Sequence, residues 1–263
     1  MTEQVGVVDN SEQQQQQQHQ DKPFLQVQGC PIYFQEDWGT GIGGGLWSTG
    51  AALARYFDTP HAKQQLMTTT ILKKNKSTSF LELGSGNGLL SVCWMALLRQ
   101  QQQHATTTAQ LPRHRHAVVV TDMADHLPLI QKTLDANPHI VQAPVWLDVH
   151  AVEHTWGEFA NDDENETTVS SPLDNRTFDV IVGSDVAYRR ELYEPLIASL
   201  LHFSDAQKTT ILLGCTMADT TPTFFDLLRR AGFDYRRLAD SCLPEEYRGQ
   251  QTFGIFVVVR RQK

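Results

Sequence analysis

Cysteine is sparse in this chain of 263 residues: Cys30, Cys93, Cys215 and Cys242 are scattered, with no C-x-x-C pair among them. That spacing excludes a disulfide framework and a cysteine-based zinc site, and reads as free thiols in a reducing compartment, cytoplasmic or nuclear. No apolar run approaches the ~18 residues that mark a membrane helix, and the N-terminus is too polar for a signal peptide. Positive charge is also short, with 22 Lys and Arg against 30 Asp and Glu and a formal net charge of −8. A nucleic-acid partner held through its phosphates wants a basic face, so that class is disfavoured. His104, His114 and His116 have no acidic or cysteine partner at ligand spacing, and no metal site is expected. Heptads are absent, and a monomer is the expectation.

What the chain does have is a glycine-rich turn. Phe80 to Leu83 is a short apolar strand, Gly84, Gly86 and Gly88 follow at alternate positions, and Leu89 to Arg99 reads as a helix. Strand, turn and helix in that order open a nucleotide-binding βα unit. The glycines let the backbone turn sharply close to a ligand, and the helix start offers unpaired N–H groups to it. A dinucleotide fingerprint wants a small residue where Leu89 stands. The pattern here is instead Glu82-Leu-Gly84-Ser85-Gly86-Asn87-Gly88.

The rest of the chain arranges itself around that turn. Residues 1–22, with an unbroken glutamine tract from Gln13 to Gln18, hold too few apolar groups to offset chain entropy and read as a disordered tail. Two more biased segments, about 100–116 and 160–176, read as inserts that loop away from the core. Phe24 to Phe34 suits two short strands around a turn at 28–31. A glycine-rich connector, Gly39 to Gly45, leads into a helix from Leu46 to Phe57 that Ser48 or Thr49 would cap. Trp47 stands at its mouth, as a core tryptophan or a ligand contact. Residues 61–78 read as a polar connection.

Ala117 to Asp122 is the second strand, β-branched at its centre as a strand buried on both faces should be. Asp122, at its carboxyl end, is placed to accept hydrogen bonds from two ribose hydroxyls; capping the helix expected over 126–137 is the other reading. A third strand over Val145 to Val152 would bring Trp156 beside an adenine or into plain packing. Phe178 to Ser184 is the fourth strand, running into Ser184-Asp-Val-Ala-Tyr188. Strands one and four flank the point where an open α/β sheet binds ligands, so the 84–88 turn and the 184–188 segment should share one crevice. Asp185 then reads as a functional carboxylate or as a cap on the helix expected over 190–203. A strand over 209–215, a helix over 222–231 and two antiparallel closing strands, 233–238 and 252–260, complete a count of seven.

The constellation resembles the methyltransferase-21-like branch of methyltransferase family 16, the seven-β-strand protein-lysine methyltransferases dependent on S-adenosylmethionine. The matching pieces are Gln-Glu-Asp-Trp38, Leu-Trp47-Ser-x-x-Ala-Ala, Glu82 to Gly88, Thr121-Asp122, Thr-Trp156-Gly and Gly183-Ser-Asp185-Val-Ala-Tyr188, all in family order. The resemblance implies an α/β fold with a Rossmann-like seven-stranded, mostly parallel sheet, an antiparallel last strand and a short N-terminal β-hairpin. It implies one domain over 23–263, with the hairpin and a helix over 23–60 and the Rossmann-like core over 78–263. Implied cofactor contacts are Trp47, Glu82, Gly84, Ser85, Gly86, Asn87, Gly88, Asp122, Trp156 and Ser184. Asp185 and Tyr188 would face the substrate.

The implied chemistry is in-line attack of a lysine amine on the sulfonium methyl, with S-adenosylhomocysteine leaving. The amine must first be neutral, which at pH 7 costs about 4–5 kcal/mol from an ordinary pKa near ~10.4. A desolvating channel lowers that cost, and alignment of the reactants supplies several kcal/mol more. Asp185 and Tyr188 are expected to position the amine and pass its proton to water. Relatives act on chaperones, AAA ATPases and translation factors, so a lysine-bearing protein is the expected partner. An arginine, a histidine or a small molecule remain alternative targets, and an inactive binding protein is the alternative outside enzymes.

Overall fold

The computed structural model describes residues 22–68, 77–105, 115–142, 146–159, 171–174, 176–206 and 208–262. The glutamine-rich tail, except its last residue, and most of both inserts lie outside the described residues.

The chain opens with a hairpin, β1 (Leu25–Val27) and β2 (Cys30–Ile32). Gln28 and Gly29 between them both have positive φ, 52° and 79°, as the tightest two-residue hairpin turn requires. The turn is thus shorter than expected, and Pro31 sits inside a strand, tolerable because that strand is an edge. Helices α1 (Ser48–Tyr56) and α2 (Pro60–Thr68) follow. The core sheet begins at β3 (Ser79–Leu83) and continues through β4 (His116–Asp122), β5 (Leu147–Glu153), β6 (Val180–Ser184), β7 (Thr210–Thr216), β8 (Phe233–Arg237) and β9 (Phe253–Arg260), with α-helices following β3, β4, β6 and β7. The helices are α3 (Leu89–Ala105), α4 (Leu127–Asp135), α5 (Pro138–Val141), α6 (Tyr193–Phe203) and α7 (Pro222–Arg230).

Strand order across the sheet is β5-β4-β3-β6-β7-β9-β8. β9 runs antiparallel to both its neighbours and the other pairings are parallel. This is the expected seven-stranded architecture, closing pair included. The strands at its centre are mostly apolar because helices cover both faces; Val118, Val119 and Val120 are wholly buried. α1, α3, α4 and the hairpin pack on one face, α6 and α7 on the other. Trp94 of α3 stacks on Phe80 of β3, with ring centroids 5.0 Å apart, and sets the helix that follows the glycine turn onto the strand before it.

Three expectations are corrected. Part of the polar connection at 61–78 is helix α2, whose Ala62 and Leu66, one turn apart, are buried. α3 runs to Ala105, into the first insert, because glutamine is a good helix former and the apolar first turns have already nucleated it. Helix α4 ends at Asp135 and Pro138 starts a further turn, α5, rather than closing the helical stretch. Between them Asn137 ties the hairpin to the core: its Nδ2 donates to the carbonyls of Tyr33 and Thr133, and its Oδ1 accepts from the Tyr33 N–H.

Candidate active site

The carboxyl ends of β3, β4 and β6 lie side by side, with β3 central, and a cavity of about 860 Å³ opens over them. The β3–α3 turn forms its floor. Gly84, Gly86 and Gly88 have φ of 61°, 59° and 78°, the left-handed region that side chains resist. A Cβ at Gly84 would stand 2.7 Å from the Trp156 ring, and one at Gly86 would overlap the Gly43 carbonyl oxygen. Gly84, Ser85, Gly86 and Asn87 line the cavity, whereas Gly88 stands behind it, facing Ile130 and Val120. Asn87 Oδ1 accepts from the Leu89 N–H and starts α3. The Ser85 hydroxyl is buried and has no partner among the described residues, as a group reserved for a ligand would be.

Two carboxyl groups hold this floor. Glu82, 2 % exposed, accepts from the N–H of Ser91 at 2.9 Å and from the Ser91 hydroxyl. Burial pushes its pKa up to about 8, against the opposing effect of the Ser91 bonds and with a further rise from the Asp122 carboxylate. It therefore pins the first turn of α3 as well as lining the cavity. Asp122 accepts from the N–H groups of Gly86 at 2.7 Å and Met123 at 2.8 Å. It does not cap a following helix, since neither the turn at 124–126 nor α4 has a side-chain cap. Each oxygen keeps a second acceptor position.

A strap from Glu36 to Leu46 closes one side. The glycine-rich connector is tied down: Asp37 N–H donates to the Gly44 carbonyl at 2.9 Å, and Leu46 N–H to Glu36 Oε1 at 2.6 Å. Gly43 rests on both Gly86 and the ring of His126. His126 Nδ1–H donates to Asp125 at 2.7 Å and its buried Nε2 has no partner among the described residues. Trp47 is no core residue; it is 44 % exposed, lines the cavity, donates from Nε1 to the Ile42 carbonyl at 2.8 Å and meets Trp38 edge-on.

Ser184, Asp185 and Tyr188 line the opposite wall. A Cβ at Gly50 would lie 3.3 Å from Ser184 Oγ, so the glycine lets α1 come close. Asp185 has φ of +54° and is held there by its N–H, which donates to the Gly214 carbonyl at 2.9 Å. Its carboxylate accepts from Thr49 Oγ1 at 2.7 Å, Thr49 N at 3.3 Å and Thr216 Oγ1 at 2.6 Å. Asp185 thus caps a helix, but α1 rather than the one that follows it. Trp47, in the cap position of α1, has no side-chain acceptor, and neither Ser48 nor Thr49 serves. Tyr188 is 37 % exposed, with the Arg189 guanidinium 5.5 Å from its ring centre. Sequence reasoning missed Thr216, His126 and Gly50, and gave Thr49 the wrong task. The contacts that bring them to the site are remote in the chain (Thr216 and Thr49 with Asp185, Gly50 with Ser184, His126 with Gly43), and no local pattern announces them.

The description "Lysine methyltransferase" belongs to the family that matches residues 26–231. The chain belongs to the lysine methyltransferase family. It is 26% identical over 229 residues to the protein-lysine N-methyltransferase EFM6 of Saccharomyces cerevisiae, covering 86% of this chain and 85% of that one. To the protein N-lysine methyltransferase METTL21A of Mus musculus it is 26% identical over 203 residues, 76% of this chain and 73% of the relative. Among solved structures, the 16S rRNA N2 G1207 methyltransferase RsmC of T. thermophilus, in complex with AdoMet and guanosine, is similar with a TM-score of 0.48 and 14% identity, over 90% of this chain and 49% of that one. The stretch matched by the lysine methyltransferase family includes all of the strap, the glycine turn, Asp122 and the 184–188 segment.

Proposed function

We propose that this chain transfers the methyl group of S-adenosylmethionine to a lysine side chain of a protein substrate. The observation that carries the reading is one continuous cavity that joins the glycine turn and Asp122 on one side to Asp185 and Tyr188 on the other. The cavity fits the cofactor by its own chemistry. Any side chain at Gly84 or Gly86 would fill the floor, and the Ser85 hydroxyl lies buried without a partner among the described residues.

When bound, S-adenosylmethionine supplies an electrophilic sulfonium methyl. Gly84, Ser85, Gly86 and Asn87 would hold it through the turn, Asp122 would accept from the nucleoside hydroxyls, Trp156 would offer a ring face or edge, and Trp47 and Ser184 would close the methionine end. Gly88 supports the turn from behind and Glu82 anchors α3. Asp185 accepts an N–H of the incoming amine, Tyr188 frames the approach, and the apolar walls exclude water, which favours the neutral amine. A lysine-bearing protein in the same reducing compartment is the partner this chemistry requires.

The test is methyl transfer from labelled S-adenosylmethionine into a lysate of the source organism, with Asp122→Ala in parallel. A discrete labelled band carrying methyl-lysine, absent with Asp122→Ala, is the expected result. Label on arginine, histidine or a small molecule would move the target class. No label together with no binding of S-adenosylhomocysteine would overturn the reading.

A further inference from the structure

Resting on that reading of the cavity, we propose that Thr49 and Thr216 are positioning residues that hold the Asp185 carboxylate so that one acceptor position, on Oδ1, is left for the target amine. A carboxylate offers about four acceptor positions, two on each oxygen. Thr49 fills both on Oδ2, with its hydroxyl at 2.7 Å and its N–H at 3.3 Å, and Thr216 fills one on Oδ1 at 2.6 Å. The remaining Oδ1 position belongs to a residue that lines the cavity.

The arrangement exceeds what a helix cap needs. Capping α1 requires the Thr49 N–H alone; the two hydroxyls, from the first turn of one helix and the last residue of β7, grip the carboxylate from two elements. Space has been left for one of them, since a Cβ at Gly214 would stand 2.7 Å from Thr49 Oγ1. The left-handed backbone at Asp185, fixed by its bond to Gly214, aims the side chain between them. A hydroxyl bonded to a carboxylate makes a short, charge-assisted and directional contact. A carboxylate with one open position takes one amine N–H and leaves the nitrogen lone pair free, the state a nucleophile needs. A carboxylate free to rotate would offer the amine several poses.

The experiment compares Thr216→Val, which keeps the shape and deletes the hydroxyl, with Thr216→Ser, which keeps the hydroxyl. Three quantities are read on each full-length protein: the initial rate of label transfer from saturating S-adenosylmethionine into lysate protein, the affinity for S-adenosylhomocysteine by calorimetry, and the melting temperature. Loss of one hydrogen bond to a charged group predicts a rate about tenfold lower in Thr216→Val, with product affinity unchanged and Thr216→Ser close to wild type. Should Thr216→Val fail to fold, Thr49→Val and Thr49→Ser carry the same comparison. A valine variant as fast as wild type overturns the proposal. So does a serine variant as slow as the valine one, or a rate loss matched by an equal loss of product affinity, because either means packing rather than a held carboxylate. A wild-type protein that transfers no label overturns the parent reading and this one together; a labelling wild type with an unimpaired valine variant overturns this one alone.

Discussion

Glu82 keeps its proton in the folded protein up to about pH 8, whereas the unfolded chain loses it near 4.5. Between those values the folded state binds more protons than the unfolded one, so this group's contribution falls as pH rises and levels off above the upper value. Glu82→Gln lacks that liability. Its melting temperature, relative to wild type, is expected to climb from pH 5 to pH 8 in scanning calorimetry; parallel curves would refute the buried-acid account. Asp185→Ala removes the proposed acceptor for the amine and the cap of α1 together. It is expected to abolish label transfer, keep affinity for S-adenosylhomocysteine, and lower stability by about 1 kcal/mol, as loss of a cap does. The residues named by sequence reasoning share one property: their neighbours in the chain define them. Gly84 to Gly88, Asp122 and Asp185 sit at strand ends, where an apolar run stops and a turn begins. Thr49 and Thr216 meet Asp185 across 136 and 31 residues, and only folding brings such partners together.

At the scale of elements, the glycine turn is the most demanding piece. Gly86→Ala would force a Cβ into the left-handed region and against the strap at Gly43. Strain of that kind costs about 1–3 kcal/mol. Urea unfolding should register that loss, and calorimetry should show weakened product binding, because the strap must lift to make room. An unchanged midpoint would mean that the strap gives way freely. The strands were legible in the sequence because burial on two faces leaves an almost unbroken apolar run, as in Ala117 to Val120. α2 was not, because among its described side chains only Ala62 and Leu66 are buried, in a stretch where polar residues dominate. The course of α3 past Arg99 was hidden for the opposite reason: a low-complexity run reads as loop, but glutamine continues a helix already formed. The strap's glycines do not make it loose: Asp37 and Glu36 tie it down, Gly43 gives close contact with Gly86 and His126, and Gly45 makes room for the Trp38 ring.

At the scale of the molecule, a ligand that binds the cavity joins β3, β4, β6 and α1 and must stabilise the whole fold. At a hundredfold excess over its dissociation constant, S-adenosylhomocysteine should add about 2.7 kcal/mol, which raises the melting temperature by roughly 5–10 °C in a chain of this size. Asp122→Ala should lose most of the rise; a wild-type melting curve that ignores the ligand would count against the cavity as the binding site. The order of the strands has a consequence of another kind. β9 lies between β7 and β8, yet it is made after both. β7, which carries Thr216 and the Gly214 that fixes Asp185, has its outer edge unpaired until residues 253–260 arrive. During synthesis, therefore, the proposed cofactor floor at β3 and β4 is complete in sequence before the strand that braces the proposed substrate wall has been made. A chain that stops short of β9 leaves the β7 edge open and Thr216 and Gly214 unbraced, so on the proposed mechanism methyl transfer depends on a strand that touches neither ligand.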